Sequence, residues 1–109
     1  MQMPNNMNMK KMMKQANKMK EQMDKLENEA GQKIIEVSSG GGAVKVAAKC
    51  NGEIISIQIE DEIIASEDKE MMQDLIQAAV NEALTKGKDS VKLEMSGAAA
   101  SLGIPPGVL

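Results

Sequence analysis

Residues 43–60 read AVKVAAKCNGEIISIQIE, two short apolar runs joined by Asn51-Gly52. Asn-Gly between alternating apolar residues is the strongest short-range hairpin signal, because both residue types tolerate the positive φ of a tight turn. A two-residue loop sets Val44 opposite Ile59, Val46 opposite Ile57 and Ala48 opposite Ile55 on one face. Lys45 and Gln58, with Ala47 and Ser56, then point the other way. Every apolar residue of the pattern except Ile54 falls on one side, so the register is self-consistent.

Working outward, QKIIEVSS at 32–39 reads as a third strand, and SSGGGA as the bulged turn that joins it to the hairpin. Gly40-Gly41-Gly42 is not a phosphate cradle. A P-loop needs its glycines to open a helix with Lys-Ser/Thr at the far end, and here they precede a strand with Lys45 on its polar face. Their role is to permit a turn.

Before the sheet, apolar residues fall at Met9, Met12, Ala16, Met19, Met23, Leu26 and Ala30. This 3-4 spacing is the heptad seam of a helix packed along another helix, and it predicts a helix over 6–30 after a disordered start at 1–5. Lysines occupy other positions of the heptad: Lys10, Lys11, Lys14, Lys18 and Lys25 on the outer face, and Lys20 flanking the seam. The segment MNMKKMMKQANKMKEQM at 7–23 holds six methionines and five lysines, and its first acid is Glu21.

After the sheet, EMMQDLIQAAVNEALTK continues with Met72, Leu75 or Ile76, Ala79 and Ala83 at helical spacing. Ser66 is the expected N-cap, with Glu67, Asp68 and Glu70 favourably placed against the helix dipole. Gly87 is the expected break between a helix at 66–86 and a second at 88–102, where Val91, Met95, Ala98 and Leu102 recur. The alternation in VKLEM leaves a strand there as the alternative. Pro105-Pro106-Gly107 ends the structure in a tail at 103–109. The fold class is α+β: a long N-terminal helix, a three-stranded antiparallel sheet, then two helices, in one domain over 1–109.

Composition narrows the function. The 109 residues carry a net charge of −3, yet residues 1–20 hold five lysines and no acid. Such asymmetry reserves one end for an anion. With no Phe, Tyr or Trp, the core is thin for a solitary monomer, which favours self-association. The single Cys50 excludes an internal disulfide and suits a reducing cytosol. No apolar run approaches a transmembrane span or a signal peptide, so a cytoplasmic protein without a membrane partner is expected. There is no histidine, hence no base for Cys50 and no metal cluster, and Asp61-Glu62 reads as a charged strand edge; neither enzyme nor cofactor is expected.

The Met/Lys-rich first helix, the stretch GGGAVKVAAKCNGEIISIQIEDEII, the stretch LIQAAVNEALTK and the ending LGIPPGVL together resemble the YbaB/EbfC family of nucleoid-associated DNA-binding proteins. The likeness covers essentially the whole chain. It implies a homodimer whose sheets and central helices form the interface, with the first and last helices projecting in pairs like tweezers around duplex DNA. It places DNA contact on Lys10, Lys11, Lys14 and Lys18 of the first helix and on Lys88 and Lys92 of the last; Lys20 and Lys25 complete the candidate DNA-binding set.

All thirteen basic residues are lysine. Arg is the usual bidentate reader of guanine, whereas lysine serves phosphates at any sequence. Without aromatic rings, stacking on unpaired bases is also lacking. The expected function is duplex binding through phosphates with little base readout, touching nucleoid organisation, gene expression or DNA repair. The alternative is a protein-binding adaptor whose Met seam takes a partner helix.

Overall fold

Strands β1 (Ile34–Ser39), β2 (Val44–Lys49) and β3 (Ile54–Ile59) form one antiparallel sheet in the order β1-β2-β3, in a computed structural model that describes residues 5–103. Val44 faces Ile59, Lys45 faces Gln58, Val46 faces Ile57 and Ala47 faces Ser56, as the hairpin reading predicts. Nearer the turn the register shifts, and Ala48 faces Ile54 instead of Ile55. The loop comprises Cys50, Asn51 and Gly52: the Gly52 N–H donates to the Lys49 carbonyl at 3.0 Å, and the Lys49 N–H donates to the Glu53 carbonyl at 2.8 Å. Only Gly52 of these residues has a positive φ, at 100°. A three-residue loop closed by glycine is the next commonest hairpin after the two-residue form. The accompanying bulge turns Ile54 toward the core and leaves Ile55 45% exposed.

Gly40, Gly41 and Gly42 make the β1–β2 turn with φ of 60°, 66° and 97°. A side chain on Gly40 would also strike Leu75, whose Cδ2 lies 2.9 Å from the Cβ position. Beside it, the Ser39 hydroxyl donates to the Leu75 carbonyl at 2.7 Å, tying the sheet to the helix that covers it.

Three helices complete the order: α1 (Asn5–Gly31) before the sheet, then α2 (Asp61–Ala65) and α3 (Lys69–Ser101) after it. Asn5 thus already belongs to α1, while the rest of the expected start and the tail beyond Gly103 lie outside the described residues. The helices expected at 66–86 and 88–102 are one, α3, and α2 stands in place of the charged strand edge expected at Asp61-Glu62. The break falls at Ser66–Asp68 and not at Gly87. Ser66 closes α2, its hydroxyl donating to the Ile63 carbonyl at 2.6 Å. Asp68 is the N-cap of α3 and accepts from the Met71 N–H at 3.0 Å. Glu67 links them in the left-handed region, φ 59°.

Residues 69–101 then run unbroken through Gly87 and VKLEM, which is helix and not strand. Gly87 is buried, and a Cβ there would sit 3.0 Å from the Cys50 Cα and 3.3 Å from its carbonyl oxygen. Glycine costs a helix interior about 1 kcal/mol relative to alanine. Here the loss is offset by the close approach of helix and hairpin turn. Ala79 and Ala83 precede it at four-residue intervals and are likewise buried, so α3 presents a row of small residues to the sheet. Against that row pack Val37, Val44, Val46 and Ala48, flanked by Leu75, Ile76 and Val80. Val44 and Val46 are the largest fully buried side chains, each contributing on the order of 2 kcal/mol by transfer from water.

Candidate nucleic-acid interface

The hairpin turn is where the three parts of the chain meet. The Asn51 N–H donates to the Gly31 carbonyl at 3.0 Å, and the Cys50 N–H donates to the Lys33 carbonyl at 2.8 Å. Gly31 ends α1 within reach of Asn51 on one side, while Gly87 of α3 touches Cys50 on the other. From this junction the two helices run side by side in opposite senses. Lys88 and Val91 line one concavity with Asn28, Lys33 pairs with Glu94, and Leu102 lines a second concavity with Gln22 and Leu26.

Contact with α3 decides which residues of the seam are buried. Ala30 and Met23 are buried, as is Ala99 of α3, while Leu26 between the first two is 38% exposed. Beyond Met23, toward the N-terminus, every described residue of α1 from Asn8 onward is exposed. Among the described residues nothing covers this part of the helix, which extends past α3 as an arm. At 27 residues α1 is about 40 Å long, taking 1.5 Å per residue.

All eight candidate lysines are exposed. Lys11, Lys14, Lys18 and Lys25 share one face by helical spacing, opposite the seam, and Lys10 borders them. Among the described residues none of the six α1 candidates takes part in an ion pair; the pairs present are Lys33–Glu94, Lys49–Glu53 and Lys86–Glu82. No acidic residue lies in the first turn of α1, so the lysines reinforce the positive end of the helix dipole instead of opposing it. This costs the isolated helix stability and favours an anion beside it.

Lys88 and Lys92 are placed elsewhere. Lys88 overlooks the junction, close to Glu27, Asn28 and Asn51. Counting along α1 from Asn28 back to Lys14, the separation is about 21 Å. The α1 lysines and Lys88 thus lie along a string from tip to root, and are not merged into one patch. Charge alone also misses Gln15 and Asn17, which share a shallow concavity with Lys11, Lys14, Lys18 and Glu21. Their amides are phosphate-capable donors, and their position on the lysine side of the heptad is the signal that could have found them.

Among the described residues no helix is long and apolar enough to cross a membrane, and no group of three or more His, Cys, Asp or Glu is placed to hold a metal ion.

Comparison with known proteins identifies the family. The sequence profile of the YbaB/EbfC DNA-binding family matches residues 4–102. A nucleoid-associated protein of Pelotomaculum thermopropionicum is 50% identical over 90% of this chain and 93% of its own length. One from Ruminiclostridium cellulolyticum is 46% identical over 93% of this chain and 88% of its own. Among solved structures, the uncharacterized protein HP0035 from Helicobacter pylori superimposes with a TM-score of 0.59 at 32% identity, covering 71% of this chain and 89% of that one. With a profile match over nearly the whole described chain, and relatives this similar over most of their own length, the protein belongs to the YbaB/EbfC DNA-binding family.

Proposed function

We propose that the chain is a nucleoid-associated protein of the bacterial cytoplasm that grips duplex DNA through its phosphates. The observation that carries this reading is the exposed lysine face of α1, without ion-pair partners among the described residues, on an arm that extends past α3. Lys10, Lys11, Lys14 and Lys18 at the tip make the main contacts. Lys20 and Lys25 along the arm, and Lys88 and Lys92 at its root, extend the track. Binding is driven by release of counterions from the phosphates, which is indifferent to base sequence. Lysine's mobile point charge suits that task, and the absence of arginine removes the usual bidentate reader of guanine.

The duplex lies between the arms of a homodimer. Support for a second copy comes from β3, an edge strand with Ile55 and Ile57 each more than two-fifths exposed, and from Ile64 of α2, 57% exposed beside it in the chain. An edge with unpaired backbone groups and exposed isoleucines is a template for pairing. Nucleoid organisation, and through it gene expression and DNA repair, are the processes such binding would touch.

The test is fluorescence anisotropy of the protein with a labelled duplex and a scrambled duplex of equal length, across several salt concentrations. Equal affinity for both, falling steeply as salt rises, supports the reading. Absence of binding at low salt overturns it, and makes the exposed methionines of α1 the leading site for a protein partner.

A further inference from the structure

Three thioethers stand open to water on neighbouring turns of the arm. Met9, Met12 and Met13 are 60%, 66% and 63% exposed. Met12 and Met13 follow Met9 by three and four positions, the two separations at which side chains on a helix are neighbours, with Cβ atoms about 5–6 Å apart. At about 100° per residue, Met12 lies about 60° to one side of Met9 and Met13 about 40° to the other. Helical side chains lean toward the N-terminus, which brings Met12 and Met13 back over the turn that carries Met9. Rotatable bonds along each methionine place its sulfur, so the three sulfurs can converge on one point without moving the backbone.

Among the described residues no other three methionines share this spacing. Met19 lies seven positions past Met12, about 10 Å along the helix, and Met23, its neighbour at four positions, is buried. Met71 and Met72 are adjacent, a separation at which helical side chains do not face each other.

The donor set selects the ligand. Residues 1–20 hold no acid and the chain holds no histidine, while Cys50 is buried. Calcium and magnesium want carboxylate and carbonyl oxygens, and zinc wants thiolate, imidazole or carboxylate, so the tip of α1 offers these ions nothing. Thioether sulfur is a soft, uncharged donor that selects copper(I). Charge selects in the same direction. Lys10, Lys11, Lys14 and the positive end of the α1 dipole oppose any cation, and oppose a divalent one twice as strongly as a monovalent one. Lys11 and Lys14 stand on the opposite face, and at physiological ionic strength charges beyond about 8 Å are screened. A monovalent soft ion is therefore the cation that loses least here and bonds best.

We propose that Met9, Met12 and Met13 form a three-thioether site for copper(I), on the side of the arm away from Lys11, Lys14 and Lys18. The site uses sulfur lone pairs and no charged ligand, and the assignment stands or falls independently of DNA binding. Thioethers have no proton to lose, so affinity stays constant between about pH 5.5 and 7, where a thiol or imidazole site would weaken with acid.

The test follows the methionine methyl NMR signals of the full chain, with silver(I) nitrate in chloride-free buffer as a redox-stable probe. Copper(I) affinity is measured in parallel, without oxygen, by competition with a coloured chelator. The expected result is that Met9, Met12 and Met13 shift together at one equivalent of silver(I) while Met19, Met71 and Met72 stay still, and that zinc(II) moves none of them. Met12→Leu should weaken copper(I) by about ten-fold or more, and Met19→Leu should leave it unchanged. Equal shifts at every exposed methionine overturn the proposal, as does an unaltered affinity in Met12→Leu. An affinity that falls with acid also overturns it, since it would give the ion to the Cys50 thiol.

Discussion

Gly87 and Cys50 are in backbone contact: a Cβ on Gly87 would stand 3.0 Å from the Cys50 Cα, with no flexible side chain between to give way. The buried glycine of α3 is therefore a seat for the hairpin turn. Gly87→Ala is expected to destabilise the fold by about 1–3 kcal/mol of overpacking, despite the gain in helix propensity of about 1 kcal/mol. Gly97, in the same helix with nothing within 4 Å of its Cβ position, is the control. Gly97→Ala is expected to stabilise by about 0.5–1 kcal/mol. Urea denaturation of both variants checks the pair, and two substitutions of the same sign would sink the explanation.

The lysine face makes a second prediction. Changing Lys10, Lys11, Lys14 and Lys18 together to Gln should weaken duplex binding at every sequence and leave the circular dichroism spectrum unchanged. The slope of log K against log salt should flatten by about 0.9 for each phosphate that the variant no longer neutralises. An unchanged slope would remove these residues from the interface.

The β3 edge makes a third. Ile55→Lys with Ile57→Lys places charge on an exposed strand edge, a common device against edge pairing, and should convert a dimer to a monomer in sedimentation velocity without unfolding it. A dimer of unaltered mass would locate the subunit interface elsewhere.

Capping supplies a fourth. The Asp68 carboxylate accepts from the Met71 N–H at 3.0 Å, so Asp68→Ala should cost about 1 kcal/mol of stability. Ser66→Ala should cost less, since its hydroxyl closes the short α2 and takes only a long 3.3 Å bond from the Asp68 N–H, outside the first turn of α3. The reverse order, measured by thermal unfolding, would show that the long helix begins at Ser66.

Much of this architecture is written in the chain. The pairing of Val44 with Ile59 and Val46 with Ile57 follows from alternation and an Asn-Gly turn, and it survives the longer loop because the bulge beside Ala47 and Ala48 takes up the extra residue. The Met/Lys division of α1 follows from the heptad. The loop length is a different matter. Asn-Gly serves a two-residue turn and a three-residue turn equally well, since each needs glycine at positive φ; docking of the Asn51 and Cys50 N–H groups on Gly31 and Lys33 accompanies the longer form. Gly87 is illegible for a related reason: glycine inside a helical pattern signals either a break or a close approach, and only the neighbour distinguishes them. The lysines can be named but not arranged, because the distance between Lys14 and Lys88 depends on how two helices far apart in sequence lie together.

The wedge of Cys50 and Asn51 between Gly31 and Gly87 has a mechanical meaning. Lys10, near the tip of α1, stands at the end of a lever about 32 Å long, pivoted at that wedge. A tilt of about 10° at the pivot would carry the tip lysines about 6 Å, more than the roughly 3.4 Å of helix axis between successive phosphates along one strand. Two uncharged residues without side chains thereby calibrate where the charges fall, and their tolerance to substitution is a matter of aim as much as of stability.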